Sequence, residues 1–550
     1  MRRATSGTTR LAAAILIVAA SSASAQHVVT AGSVYQPGID VTDYDIRLEL
    51  PETGPFLRGD VTVTALRAPD VRTLRLDLVH DLTVRDVSVD GAEVRPVREG
   101  DTVRIGLEGA SGDTVRVRVR YDGNVTDGLI VQHDARGRWT WFGDNWPNRA
   151  RFWLPVVDHP SDKATVSFTV RAPSSRTVVA NGTLLGVQRL TGADAGRSET
   201  RWRESRPIAT YLMVIGAGEL TRTMLADGRC ERSAVHRCVA QSVFAKPESE
   251  SFLPGPFAAA PAIVSYFEDL VGPFPYEKLA HLQSATRFGG MENATAIFYA
   301  DRLFADRSLE DGIIAHETAH QWFGDAVTER EWAHLWLSEG FATYFAALWT
   351  RHAHGDAAFA REMATIRRQI LADSVVAVRP VIDSMQRDYM QLLNTNSYQK
   401  GGYVLYMLNQ QLGDSAFHAG LRAYYARYRD GNASSDDLRH ELEAASGQNL
   451  ATFFDQWLRR PGVPVASAGW AYDAATGSVS VTVLQDGVAL PYALGIPVVL
   501  TSASGEVVRE TIAVPAEARS VVALPGRYTS RPRAVAIDPD GVVLARLTTL

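Results

Sequence analysis

His316-Glu317-Thr318-Ala319-His320-Gln321-Trp322-Phe323-Gly324 is the stretch from which the rest of the chain can be read, with Glu339 nineteen positions after its second histidine. On a helix, residues four apart project from one face, so His316 and His320 can aim ring nitrogens at a single metal ion. Glu317 lies one position round and faces the same space without having to ligate. Two nitrogens and a later carboxylate leave one of zinc's four tetrahedral positions open, the pattern of a catalytic rather than a structural site. Ser308 and Asp311 form a capping-box pattern ahead of the motif, Leu309, Ile313 and Ile314 supply a buried stripe, and Gly324 is a helix stop. Apolar neighbours on both sides of the charges mean burial, which is costly unless a metal or hydrogen bonds compensate. The segment predicts a helix over 309–323 carrying the centre of a zinc hydrolase.

Glu339 stands in Leu337-Ser338-Glu339-Gly340-Phe341-Ala342-Thr343-Tyr344, at the head of an apolar helix whose Phe341, Phe345 and Leu348 pack inward. Read alone, it is a helix N-terminal carboxylate favoured by the macrodipole. Beside the histidine pair it is the third zinc ligand. Glu317 is then the general base: zinc lowers the pKa of its water, and a nearby carboxylate takes the proton as hydroxide attacks a carbonyl. The oxyanion that forms needs a donor besides the metal, and a tyrosine hydroxyl suits.

The 550 residues are too many for one core and divide into about three domains. Between 41 and 218, runs such as Tyr44-Asp45-Ile46-Arg47-Leu48-Glu49-Leu50 and Val115-Arg116-Val117-Arg118-Val119 alternate apolar and polar, the period of antiparallel strands. From 247 to 461 the period turns helical, over 257–270, 309–323, 339–352 and 398–412. Pro461-Gly462 punctuates a return to strands over 478–484, 496–501, 507–514, 520–524 and 534–537, which suggests a small β-sandwich. The expected fold class is multidomain α+β, with a β domain at 26–218, a mainly helical catalytic domain at 219–462 and a β-sandwich at 463–550.

Residues 1–25 have the form of a signal peptide: Arg2 and Arg3, an apolar run over 11–20 too short to span a bilayer, and Ala23-Ser24-Ala25 before Gln26. Export to the periplasm or the extracellular space is expected. No other segment is apolar enough to cross a membrane. The two cysteines, Cys230 and Cys238, would form one disulfide in an oxidising compartment. A net charge of −6 argues against nucleic acid as a partner. The basic residues are almost all arginine, with lysine only at 163, 246, 278 and 400.

Together with Trp336-Leu337-Ser338-Glu339-Gly340-Phe341-Ala342, the motif closely resembles the M1 family of zinc metalloaminopeptidases, gluzincins of the aminopeptidase N type, in which eighteen residues separate HExxH from the glutamate. Gly289-Gly290-Met291-Glu292-Asn293 resembles that family's exopeptidase motif. The resemblance implies that this backbone pairs with the substrate like an added strand and that Glu292 binds its free α-amino group. Tyr398-Gln399-Lys400-Gly401 resembles the segment carrying the family's catalytic tyrosine, which implies that Tyr398 stabilises the oxyanion. Arg151-Phe152-Trp153-Leu154-Pro155, Asp158-His159-Pro160 and Gly272-Pro273-Phe274-Pro275-Tyr276 also fit. The family's architecture is a saddle-like N-terminal β domain, a thermolysin-like catalytic domain and often a β-sandwich. The family resemblance as a whole implies a zinc-dependent aminopeptidase with one zinc per chain, acting on peptides with a free N-terminus. Two departures stand out. Many members carry a second Gln or Glu, for the substrate amine, five residues before the motif arginine, where this chain has Trp146; that role is missing or has moved to Asp144. The chain also stops after the β-sandwich, without the family's large C-terminal helical domain, so a more open cleft is expected.

Overall fold

The structure, a computed structural model, describes residues 36–108, 113–228, 237–485 and 490–550. The expected signal segment 1–25 and Cys230 lie outside them; Cys238 is disulfide-bonded. Alternation does what the sequence pattern leads one to expect. Ile39–Glu49 and Thr114–Asn124 bury every second side chain along most of their length, and pair through Phe56–Arg67 within an eight-stranded sheet. Ile39–Glu49 also runs parallel to Lys163–Pro173, with Tyr44 opposite Val166 and Leu48 opposite Val170. A second sheet, made of Leu129–His133, Trp139–Gly143, Ile215–Gly218 and Thr177–Ala180, is carried towards the helical region. Its Phe142 meets Phe298 edge-on, with ring centroids 5.7 Å apart.

The helical region is built on a five-stranded sheet in the order Thr221–Asp227, Ala240–Ala245, Lys278–Ser284, Ala296–Ala300, Gly290–Met291. Its three central strands are parallel. The two-residue strand Gly290–Met291 turns back antiparallel, with Gly290 opposite Tyr299 and Met291 opposite Phe298. Being last in that order, it has no protein strand on its outer edge among the described residues. Helices α1 (Ala260–Val271) and α2 (Asp311–His320) pack against this sheet, α3 (Trp336–His354) packs on α2, and α4 (Asp356–Ala372) and α5 (Gly401–Leu412) pack on α3.

Helix α2 is shorter than the expected 309–323. It starts at Asp311 with Glu310 in the cap position, and the Ser308–Asp311 capping box does not form. The reason is a competing partner: the Asp311 carboxylate accepts from Trp349 Nε1 at 3.0 Å, and so pins α2 to α3 instead of capping its own helix. At the other end, Asp325 N bonds the His320 carbonyl and Gly324 takes φ +117°. Phe323 then stacks on Phe341 of α3, centroids 4.1 Å apart and planes within 17°.

Helix α3 meets the start of α5 backbone to backbone. A Cβ on Gly340 would stand 2.8 Å from the Gly401 carbonyl carbon, closer than any side chain can come. After residue 462 the chain forms a four-stranded and a three-stranded sheet, with Val479, Val481, Val483, Ile496, Val498 and Leu500 buried. Arg367 of α4 holds this region by donating to the carbonyls of Val543 and Ala545 at 3.3 and 2.6 Å. The multidomain α+β class is the one the periodicities imply. Among the described residues, no helix is long and apolar enough to cross a membrane.

Three of the four lysines, in a chain otherwise rich in arginine, donate to backbone carbonyls, and the fourth pairs with a carboxylate. Lys163 Nζ donates to the carbonyls of Asp325, Ala326 and Gly431 at 2.8–3.1 Å, which ties the N-terminal β region to the loop after α2. Lys278 donates to Ala180 and Thr295, and Lys400 to Gly462. Lys246 pairs with Asp301. A compact ammonium can satisfy clustered carbonyls in a space too small for a planar guanidinium.

Two features of this framework have measurable outcomes. Gly340→Ala should cost about 1–3 kcal/mol by overpacking the α3–α5 contact, measured by chemical denaturation. His281, on Lys278–Ser284, is fully buried, with Nδ1 3.0 Å from the Tyr299 hydroxyl and Nε2 without a partner. Burial, then the charge of Lys278, pulls its pKa down to about 3. The unfolded chain takes up this proton near pH 6.5 and the folded chain only near 3, so its contribution is intact above 6.5 and is lost as pH falls. Between pH 7 and 4.5 the loss through this group should be about 2–3 kcal/mol, and His281→Asn should remove that share.

Candidate metal centre and active site

Helices α2 and α3 cross so that three buried side chains converge. His316 Nε2 lies 3.3 Å from both His320 Nε2 and Glu339 Oε2, and His320 Nε2 lies 3.4 Å from the same oxygen. Tetrahedral zinc with nitrogen and oxygen ligands at about 2.0–2.1 Å sets any two ligands about 3.3–3.4 Å apart. The three donors thus form one face of a zinc tetrahedron and leave its fourth corner to the cleft. Electrostatics agrees. Burial alone would strip His320 of its proton, but Glu339, Glu292 and Glu317 together outweigh it and push its pKa well up. The pocket favours positive charge, which a divalent cation supplies.

The orientation of His320 is set from behind. Its Nδ1 donates to the Phe323 carbonyl at 3.2 Å and lies 3.0 Å from Ser338 Oγ, so the Nε2 lone pair is the one that faces the triad. A side chain at Gly324 would collide with Ser338, so the turn glycine also makes room for this contact.

The remaining expected residues gather round the same point. A carboxylate oxygen of Glu292, one of Glu317 and a ring nitrogen of His320 all lie within 4.8 Å of one another. Gly289 and Gly290 are partly exposed and Met291 is buried. A Cβ at Gly290 would overlap the Glu317 carboxylate, so the strand edge and that carboxylate are in direct contact. Burial pushes Glu317's carboxyl well above the usual carboxylate range, while the His320 charge opposes it. Tyr398 sits on a π-helical turn, Asn396–Lys400, and its hydroxyl donates to Glu339 Oε1 at 2.7 Å. Burial, then the Glu339 charge, raises its phenol well above 10, so the hydroxyl remains a donor at neutral pH.

Two residues that sequence reasoning passed over complete the arrangement. Gln321 Oε1 accepts from Thr295 N at 2.8 Å, while its Nε2 donates to the Glu292 carbonyl at 2.9 Å and to Asp325 Oδ2 at 2.8 Å. The residue after the second metal histidine therefore holds the Glu292 backbone in place. Ser338, next to Glu339, supports His320. Their adjacency to the motif residues was the available clue; their partners are visible only in three dimensions. Ser338→Ala should weaken zinc affinity by about tenfold, measured by competition with a chromogenic chelator, because the Phe323 carbonyl still holds the ring.

Comparison with known proteins agrees with this geometry. The chain matches the Peptidase M1 N-terminal domain over residues 42–212 and the Peptidase family M1 domain over residues 258–457, together more than half its length. It is 28% identical to a probable aminopeptidase 2 of Sulfurisphaera tokodaii, over 58% of this chain and 41% of that protein. It is also 28% identical to the tricorn protease-interacting factor F2 of Thermoplasma acidophilum, over 78% and 54%, and 25% identical to aminopeptidase N of Lactococcus lactis, over 78% and 51%. The chain thus spans about half the length of the curated relatives it matches. The solved M1 zinc metallopeptidase of Deinococcus radiodurans superposes with a TM-score of 0.68 at 26% identity, covering 78% of this chain and 97% of that one. A mutant of the same enzyme bound to a Tyr-Ser-Ala substrate gives 0.69. With both family domains present in order and a zinc-binding geometry within the second, the chain belongs to peptidase family M1.

Proposed function

We propose that the chain is a zinc-dependent aminopeptidase that releases the N-terminal residue of peptides with a free α-amino group. The observation that carries this reading is the position of Glu292, a buried carboxylate facing Glu317 and His320 from an open strand edge. His316, His320 and Glu339 would hold the ion. Bound there, zinc supplies a Lewis acid that polarises a carbonyl and makes water acidic near neutral pH. Glu317 takes the proton released as water adds to the scissile carbonyl and returns it to the departing nitrogen. The Tyr398 hydroxyl turns from Glu339 to donate to the carbonyl oxygen as negative charge develops on it. Glu292 accepts the α-ammonium, and the outer edge of Gly290–Met291 pairs with the substrate backbone. With an amine anchor this close to the metal centre, there is room for a single residue ahead of the scissile bond. A mutant of the Deinococcus radiodurans relative has been solved bound to a Tyr-Ser-Ala substrate, which supports a peptide as the substrate class. Export to the periplasm or the extracellular space remains part of the reading, on the strength of residues 1–25.

Glu292→Ala should lower kcat/KM on aminoacyl amides by about a hundredfold or more, since it removes a buried ionic partner of the substrate, while zinc stays at one per chain by metal analysis. The wild type should leave N-acetylated peptides intact. Equal turnover of free and N-acetylated peptides would instead mark an endopeptidase of thermolysin type and overturn the proposal.

A further inference from the structure

The open strand edge Gly290–Met291 has two unlike faces. Gly290 and Met291 lie opposite Tyr299 and Phe298, and the Ala300 N–H donates to the Gly289 carbonyl at 3.0 Å. Gly289 thus spends its carbonyl on the neighbouring strand, and alternation along an antiparallel pair turns the N–H and C=O of Gly290 to the outer edge. Side-chain directions alternate as well. A Cβ on Gly290 would overlap the Glu317 carboxylate, whereas one on Gly289 would stand 3.7 Å from Nη2 of Arg302. One face of the edge therefore looks at the metal centre and the other at a guanidinium.

Arg302 lies in the helical turn Asp301–Ala305, two residues past the end of Ala296–Ala300, the strand that pairs with this edge. It is exposed, and among the described residues its guanidinium forms no ion pair and donates to no acceptor. The carboxylate next to it in sequence, Asp301, is taken by Lys246 at 2.7 Å. Arg287, the other arginine beside the edge, is answered by Asp127 and Asp144. Of the two, Arg302 is the one whose charge is unspent.

We propose that Arg302 binds a carboxylate on the third residue of the peptide substrate, either the C-terminal carboxylate of a tripeptide or an acidic side chain in a longer peptide. The proposal rests on the aminopeptidase reading above and names its substrate class. A peptide whose amine is held at Glu292 and whose backbone pairs with Gly290 runs antiparallel to the edge, from Glu292 towards Gly289. Directly opposed residues in such a pair point their side chains to the same face. The first residue then lies opposite Met291, the second opposite Gly290 and the third opposite Gly289, on the face where Arg302 stands. Hydrogen bonds from a guanidinium to a carboxylate are charge-assisted and can be bidentate, which an amide cannot match. The edge thus carries an anion at the end that takes the amine and a cation at the end that takes the acid, the charge pattern of a short zwitterionic peptide.

The test is the initial rate of alanine release by the zinc-loaded full chain from Ala-Ala-Ala, Ala-Ala-Ala-amide, and tetrapeptide amides with Glu, Gln or Lys as third residue among alanines. The ratio of kcat/KM should be about three to ten for Ala-Ala-Ala over its amide and for Glu over Gln, with Lys lowest. A gain confined to Ala-Ala-Ala assigns the carboxylate to the chain terminus, and one confined to Glu assigns it to the side chain; either supports the proposal. Added salt should shrink these ratios, because an exposed ion pair is screened. In Arg302→Ala both ratios should fall to about one, and Arg302→Glu should prefer Lys to Glu. Equal rates for acid and amide and for Glu and Gln in the wild type, or ratios that Arg302→Glu leaves unchanged, would overturn the proposal and leave the aminopeptidase reading standing. Failure to release alanine from any of the peptides would overturn both. The wild-type panel decides the matter even if neither variant folds.

Discussion

Three carboxylates and two imidazoles are buried together at the crossing of α2 and α3, and no arrangement of protein groups alone can make that comfortable. Glu292, Glu317 and Glu339 are each about 6% exposed, too little for water to stabilise three charges. A cation at the triad resolves the conflict, and the surrounding structure is shaped to keep the donors where a cation needs them. The Phe323 carbonyl and Ser338 fix one ring, Tyr398 occupies the second oxygen of Glu339, and Gln321 steadies the strand that presents Glu292. Each of these partners is in turn placed by packing: stacked phenylalanines between the two helices, and a glycine-to-glycine crossing between α3 and α5.

That crossing explains how residues 59 positions apart come to share a hydrogen bond. Only bare backbone at Gly340 and Gly401 lets the two helices approach closely enough for the Tyr398 hydroxyl to reach Glu339. The motif Tyr398-Gln399-Lys400-Gly401 then reads as three tasks in four residues. The tyrosine supplies a donor, the lysine fastens the turn to the Gly462 carbonyl, and the glycine admits the neighbouring helix. Lys400 is thus an anchor, and burial pulls its pKa down to about 7 without bringing it to the site.

Sequence was most informative where function is written at local spacing. His316 and His320 could be paired because four residues is about one helical turn, and the strand regions could be separated from the helical one because periods of 2 and 3.6 differ. Glu292 and Tyr398 had no such local rule; resemblance to known motifs pointed to them, and only the fold shows the chain reversals that bring them to the metal site. Asp311 shows the opposite failure. Its spacing from Ser308 fits a capping box, but Trp349, far along the chain, offers a buried indole donor that the local pattern cannot anticipate. Apart from Lys400, which stands in a recognisable motif, the lysines were legible only as a compositional bias, although each one makes a tertiary contact. Ser338 and Gln321 were hidden for a simpler reason: a serine and a glutamine beside conspicuous ligands carry no spacing signature of their own.

The single side chain of Gln321 spans from the metal-bearing helix end to the strand edge, touching the backbone at Glu292 and Thr295 and the carboxylate of Asp325. On the aminopeptidase reading proposed above, it acts as a fixed gauge between the place where a peptide's first atom would be held and the place where its first bond would be cut. Its length is set by covalent bonds, so the gauge does not stretch with loop motion or with the identity of the residue being measured. If Glu292 holds the substrate amine as proposed, what the cleft counts is one residue of backbone, whatever side chain that residue carries.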